Sequence, residues 1–258
     1  QAGERLGWSI AKLSRIETAR VGLQVADLKR MLDMYGVEAG DKREALLSLA
    51  RRARTKGWWD AYADSLPSDY TNYISLEAEA VAIRCYDAQT VNGLLQTEHY
   101  AREVIRAGLM ALSPPAEVER RVEVRTTRQN LLTREDNPLR FWTVIDEAAL
   151  TRPVGPREMM RQQYEHLLKL AEYDNVTIQV LLNSAGVHPA TAGMFAILEF
   201  PERLDSDVVY VEAMTSSLYV ESDAAVYRYT LAFDHLRAMA LGPRESKAHI
   251  AELAEQTS

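Results

Sequence analysis

The chain has one cysteine in 258 residues, Cys85. An internal disulfide is therefore excluded, and so is a cysteine-rich zinc module; a reducing cytoplasm is the compartment that fits. No apolar run approaches the roughly 20 residues that a membrane-spanning helix needs. No signal-peptide pattern stands at the start. A soluble, cytoplasmic protein with no membrane partner is expected. The five histidines, His99, His166, His188, His235 and His249, keep no metal-ligand spacing with one another or with Cys85. There is no phosphate-cradling glycine loop and no nucleophile elbow. No cofactor and no metal are expected, and no motif assigns a reaction. Internal repeats and low-complexity segments are also missing.

What the sequence does have is an uneven charge distribution beneath its formal net charge of -7. Residues 1–56 carry 12 Lys and Arg against 7 Asp and Glu, a balance of +5; residues 57–258 carry 18 against 30, a balance of -12. A basic segment joined to an acidic body suits a nucleic-acid module attached to a part that does not bind nucleic acid. Uneven charging of surface helices is the plainer alternative.

In the basic segment, Glu4 to Gly7 reads as the end of a helix stopped by glycine. Trp8 follows, then Ser9, a good N-cap. A helix from Ile10 to about Thr18 turns Leu13 and Ile16 inward with Trp8. The next element places Val25, Leu28, Leu32 and Tyr35 at helical spacing and ends at Gly36. DKREALLSLARRARTKG, from Asp41, reads as a basic helix with a capping box of Asp41 and Glu44, an apolar face of Leu46, Leu49 and Ala53, and Gly57 as its stop. Arg51, Arg52, Arg54 and Lys56 crowd its end, where the helix dipole favours cations with or without DNA. Trp58-Trp59 reads as a packing anchor for the linker.

Gly7, Trp8, Ser9, Lys12, Ser14, Arg15, Ile16, Glu17 and Arg20 resemble the Xre-type, phage-repressor-like helix-turn-helix. The resemblance implies a DNA-binding domain over residues 1–56, with the fold's first helix expected to be absent from this sequence. It puts Ser9, Ile10, Ala11, Ser14 and Arg15 toward the major groove and Lys12 and Arg20 on phosphates. Arg15 would hold a guanine edge. Ile10 and Ala11 stand where that family commonly carries Gln and Ser; apolar side chains there can touch thymine methyls. Ala19 replaces the usual turn glycine, at a cost of roughly 1 kcal/mol for a left-handed conformation.

From about Asp60 the pattern changes. EAVAIRCYDA, LRFWTVID, VTIQVLL, MFAILEF and VVYVEAM read as strands. QTEHYAREVIRAGL, the segment from Ser113-Pro114 to NLL, REMMRQQYEHLLKLAEY, AAVYRYTLAFDHLRAMAL and ESKAHIAELAEQ read as helices, with Tyr100, Val104, Ile105, Met160, Tyr164, Leu167, Leu168 and Ala171 inward. Alternation followed by a strand cluster predicts an α+β fold. A small all-α helix-turn-helix remnant precedes a larger α/β domain, residues 57–258, with a mixed sheet flanked by helices.

WWDAY, SLEAEA, GLLQTEHYAR, RTTRQNLL, VIDEAAL, VTIQVLL, AGVHPATAGMF, VYVEAM and FDHLRAMAL resemble the antitoxin-like C-terminal domain of a large actinobacterial regulator family that includes WhiJ-like proteins. The resemblance implies a regulator whose C-terminal domain senses a small-molecule effector or a small partner protein, and a homodimer on DNA. Asn92 stands where that family usually has proline, which is expected to loosen the turn.

Candidate sites follow. His188, in the loop NSAGVHPATAGM, is a candidate acid, base or ligand contact, or else a turn-shaping residue. Asp146 and Glu147, at a strand end, are candidate catalytic carboxylates, or else acids at a helix N-terminus. Arg84 with Tyr86, and Tyr210 with Glu212, alternate so that each pair shares a face and is a candidate for lining a ligand pocket. Cys85, in an apolar run, reads as a buried thiol. The leading expectation is a DNA-binding transcriptional regulator. The alternatives are an enzyme or ligand-binding protein repurposed from this scaffold, and an antitoxin-like binding partner without DNA contact.

Overall fold

The computed structural model describes residues 2–17, 23–52, 57–62, 66–110, 112–201 and 207–257. The chain divides into two compact units, residues 1–58 and residues 59–201 with 206–258.

The first unit holds four helices: α1 (Ala2–Leu6), α2 (Ile10–Glu17), α3 (Val25–Met34) and α4 (Asp41–Arg52). Leu6, Trp8, Leu32 and Leu47 are its buried apolar side chains among the described residues. Gly7 sits at φ +68 and ends α1; Gly36 at φ +69 ends α3, where a side chain would strain the backbone. Trp8 N–H returns to the Gly3 carbonyl at 2.8 Å, and Arg30 Nη2 donates to the Leu6 carbonyl at 2.6 Å, so α3 ties down the end of α1.

Three sequence expectations change here. Tyr35 is 57% exposed despite its helical spacing with Leu32. Asp41 is the first residue of α4, not its cap, because Arg43 and Glu44 N–H bond the Gly40 carbonyl. Among the described side chains of α4, Leu47 is buried and the expected Leu46 half-buried, while the side chain of Leu49, also expected on that face, lies outside the described ones. The expected extension of α4 beyond Arg52, and Ala19 in its turn, lie outside the described residues.

The second unit is built on a six-stranded sheet in the order β3-β2-β1-β4-β5-β6. Its strands are β1 (Ala82–Asp87), β2 (Arg140–Asp146), β3 (Val176–Leu181), β4 (Phe195–Glu199), β5 (Val208–Glu212) and β6 (Ser217–Val220). β1 pairs parallel with β2, and β2 with β3; β4, β5 and β6 each run antiparallel to their neighbours. The helices are α5 (Ser68–Glu79), α6 (Glu98–Gly108), α7 (Pro115–Arg128), α8 (Glu147–Thr151), α9 (Arg157–Leu170), α10 (Asp223–Met239) and α11 (Pro243–Gln256). The result is an α+β arrangement, a mixed sheet flanked by helices.

Alternation along each strand divides the core. Ile83, Cys85, Phe141, Ile145, Ile178, Val180 and Leu198 face one side, with Tyr73 of α5, Tyr100 of α6, Met160, Tyr164 and Leu167 of α9, and Ile250 of α11. Tyr86, Val144, Leu181, Phe195, Ile197 and Val209 face the other, with Val226, Phe233 and Leu236 of α10. A smaller cluster joins Ile105 of α6 to Val118 and Val122 of α7. No helix among the described residues is long and apolar enough to cross a membrane.

The sequence pattern did not reveal α5 or the four-residue edge strand β6. In α5 the cause is a buried charge. Glu77, 0% exposed, lies on the inward face and breaks the apolar stripe. Arg128 of α7 answers it bidentately, Nε to Oε2 and Nη2 to Oε1, both at 2.6 Å. Tyr70 OH accepts from Arg128 Nη1 at 2.7 Å, and the guanidinium lies over the Tyr70 and Tyr73 rings. Removing one partner strands a buried charge, whereas removing both does not. Glu77→Leu or Arg128→Met alone should each lower stability by about 3–5 kcal/mol, and the double variant by much less than their sum. Urea unfolding of the four proteins measures this.

Candidate functional site

The first candidate surface is the N-terminal part of α2. Ser9 caps the helix: its hydroxyl accepts from Lys12 N–H at 3.2 Å, and its carbonyl from the N–H groups of Lys12 and Leu13. Ser9, Ile10, Ala11, Ser14 and Arg15 are exposed, Ile10 by 85%. Leu13 and Ile16 are half-buried. α2 therefore turns outward the residues named for the major groove. Lys12 is differently placed. Its ammonium pairs with Asp27 of α3 at 2.7 Å and lies 4.1 Å from the centre of the Trp8 ring. Arg15 Nε donates to the Ala11 carbonyl of its own helix at 3.2 Å, on an exposed face. Arg20 lies outside the described residues.

The second candidate lies at the carboxyl ends of the parallel strands. Tyr86 and Asp87 end β1, Asp146 ends β2, and the loop after β3 returns His188 to Tyr86. Tyr86 OH donates to Asp146 Oδ2 at 2.8 Å and stands 3.2 Å from His188 Nε2. His188 Nδ1 accepts from Ala190 N–H at 3.3 Å. A neutral ring then carries its hydrogen on Nε2 and donates it to the phenol oxygen. The row reads imidazole to phenol to carboxylate, with the rings edge to face at 5.3 Å. Burial, then the Asp146 carboxylate, push the Tyr86 phenol pKa up. This row can order a loop, contact a ligand or relay a proton.

Asp146 and Glu147 also have structural duties. Asp146 Oδ1 caps α8 by accepting from Ala148 N–H at 2.9 Å. Glu147 Oε2 accepts from Asn183 N–H at 2.8 Å and Oε1 faces His249 Nε2 at 3.4 Å.

Tyr86 and Asp87 point to opposite faces, so a second polar cluster forms behind the first. Asp87, 1% exposed, accepts from Thr143 Oγ1 at 2.6 Å, Cys85 Sγ at 3.1 Å and Asn92 Nδ2 at 3.1 Å. Burial raises the pKa of Asp87, and these three donors lower it. Burial likewise pushes the Cys85 thiol well up, followed by the neighbouring Asp87 charge, as suits a buried thiol.

Asn92 does not loosen its turn. Its Oδ1 accepts from Leu94 N–H at 3.0 Å while its amide serves Asp87, two roles that proline has no groups to fill.

The four residues named as a pocket lining do not converge. Arg84 and Tyr86 share the α10 face, but Tyr210 points to the other side, with its ring 4.3 Å from Tyr73 and its hydroxyl 3.0 Å from Ser217 Oγ. Glu212 is exposed at the end of β5. Arg84 pairs with Glu199 at 2.5 Å and borders a hollow of about 240 Å³ at the amino ends of the strands, with Arg140, Trp142 and Thr177. A residue spacing of two fixes the face, not the end of the sheet at which a long side chain finishes. Sequence reasoning missed Asp87, Thr143, Glu77 and Arg128. Asp87, closing an apolar strand run, was the available signal. Among the described residues, no three His, Cys, Asp or Glu side chains are grouped to hold a metal.

The exposed helix after a glycine-stopped turn defines a helix-turn-helix carrier joined to a larger α+β domain. Residues 1–46 match a helix-turn-helix domain, which supports a DNA-binding regulator. Residues 70–252 match the family described as Domain of unknown function (DUF5753), and the chain belongs to that family. No curated protein and no solved structure matches it.

The Asn92–Asp87 contact generates a pH-dependent expectation. Burial raises the folded pKa of Asp87, so the folded chain holds that proton more tightly than the unfolded chain. The penalty for an ionised Asp87 is absent below the ordinary carboxylate range and grows as pH rises through the raised value. Asn92→Ala removes a donor that eases this penalty. It should cost about 1–3 kcal/mol at neutral pH and clearly less in acid. Urea unfolding of both proteins at pH 7 and pH 4.5 checks the sign.

Proposed function

We propose that the protein is a transcriptional regulator of the helix-turn-helix type that binds DNA as a homodimer. In this reading α2 enters the major groove, and the DUF5753 domain senses a small molecule or small partner protein. The observation that carries it is the outward presentation of Ser9, Ile10, Ala11, Ser14 and Arg15 along one helix that begins at a capped turn. Arg15 supplies the fork that holds a guanine edge, and Ile10 and Ala11 supply apolar contact for thymine methyls. Lys12 reaches a phosphate only by giving up Asp27, so it contributes less than an unpaired lysine. Arg20 is a further phosphate contact in this proposal. Two copies would read half-sites about 34 Å apart.

Sensing is assigned to the carboxyl ends of the parallel strands, where open α/β sheets commonly bind ligands. The His188–Tyr86–Asp146 row, joining a loop to the sheet, supports that assignment.

Two measurements test the reading. DNA selected in vitro on the full chain should bind with a steep salt dependence. Arg15→Ala should weaken that binding by about 1–3 kcal/mol and relax the preference at one base. No selected sequence, or one bound equally by the variant, removes the regulator reading. For the sensor, a compound that raises the melting temperature of the full chain should lose most of that shift in Tyr86→Phe. An unchanged shift places the effector elsewhere.

A further inference from the structure

The hollow at the amino ends of the strands has no role in the readings above. It lies on the sheet face that carries α10, and its floor follows from the register. Glu199 of β4, Ala82 of β1 and Arg140 of β2 stand side by side. One step along the strands, Arg84, Trp142 and Thr177 do the same. Neighbouring strands lie ~4.8 Å apart, so Glu199 and Arg140 flank the alanine from backbones about 10 Å apart. A methyl group between long side chains leaves a space, here of about 240 Å³. Drug-sized pockets run to ~300–1,000 Å³, so this one suits a smaller molecule.

The side chains around it differ in what they already hold. Arg84 is taken: it pairs with Glu199 at 2.5 Å and lies over the Phe233 ring. Trp142 gives its indole N–H to Gln179 Oε1 at 2.9 Å, which leaves its ring as an apolar wall. Arg140 and Asp174 are exposed and border the same hollow, and neither has an ion-pair partner among the described residues. Asn175 holds both in place. Its carbonyl accepts from Phe141 N–H at 2.8 Å, and its amide donates to the carbonyls of Leu139 at 2.8 Å and Leu132 at 3.0 Å. The residues on either side of Arg140 are thus bound to the residue next to Asp174. A cation and an anion are fixed at one mouth without neutralising each other.

We infer that this hollow binds a small zwitterion with an apolar body, of the α-amino acid type. The Arg140 fork takes the carboxylate, Asp174 takes the ammonium, and the side chain lies over Ala82 against the Trp142 ring. The charges that line the hollow, Arg84, Arg140, Asp174 and Glu199, sum to zero. A plain anion or a plain cation is attracted by some of them and opposed by the others, whereas a molecule carrying both charges gains from each sign. The site stands at the opposite end of the sheet from the His188–Tyr86–Asp146 row, and the inference does not rest on the regulator reading.

Calorimetric titration of the full chain with phenylalanine tests it, beside phenylpropionate, which lacks the ammonium, and phenethylamine, which lacks the carboxylate. Phenylalanine should bind, and each analogue should bind about tenfold or more weakly. Arg140→Gln should weaken phenylalanine by about tenfold and leave phenethylamine as it was. Asp174→Asn should weaken it similarly and leave phenylpropionate as it was. In proton–nitrogen correlation spectra, phenylalanine should move the Trp142 indole signal, assigned through Trp142→Phe, and should do so equally in Tyr86→Phe. The analogues act on the wild-type chain, so they decide even where a variant fails to fold. Absence of phenylalanine binding overturns the inference. So does an analogue that binds as tightly as the amino acid, a folded Arg140→Gln or Asp174→Asn chain with unchanged affinity, or loss of binding in Tyr86→Phe.

Discussion

The larger domain depends on the pairing of β1. The strand lies between a parallel neighbour, β2, and an antiparallel one, β4, so its backbone groups are satisfied from both sides. That position buries nearly all of it and makes the pleat decisive. Tyr86 and Asp87 are adjacent in the chain yet serve different layers. Tyr86 joins a row that is reached by the loop after β3. Asp87 is sealed behind it among Thr143, Cys85 and Asn92. A slip of one residue in this register would carry Tyr86 to the Thr143 side of the sheet and Asp87 to the Asp146 side, undoing both clusters.

The polar groups near the sheet are mostly committed to one another. Asp146 caps α8 while accepting from Tyr86, Asn92 closes a turn while serving Asp87, and Arg128 holds Glu77 while lying against two tyrosine rings. Double duty of this kind gives a rigid frame, because moving one side chain leaves two groups unsatisfied. The loop carrying His188 is the exception. It meets the sheet end through the His188–Tyr86 contact and the buried Ala190.

The same economy governs the helix-turn-helix unit. A short helix presents its face outward only if something holds its other side. Here Trp8 and the Lys12–Asp27 pair do so, which draws one expected phosphate contact into the scaffold. What α2 presents is shifted toward Ile10, Ala11 and Arg15. In the regulator reading proposed above, a face with fewer cations and more methyl contact would favour sequence readout over general attraction.

The local pattern determined a good deal. Gly7 and Gly36 as stops, Ser9 as a cap, and the apolar faces of α6 and α9 follow from chemistry within a few residues. The strands β1 to β5 follow from runs that only a buried sheet accommodates. The tertiary structure decided the rest, for reasons of distance. Glu77 hides α5 because its partner lies 51 residues away. Tyr210 leaves the company of Tyr86 because the sheet's two faces separate residues that alternate identically along their own strands. Asn92 reads as a weakened turn until Asp87 is seen behind it. Helix stops and apolar periodicity are short-range properties of a chain, whereas the compensation of a buried charge is settled only when remote segments meet.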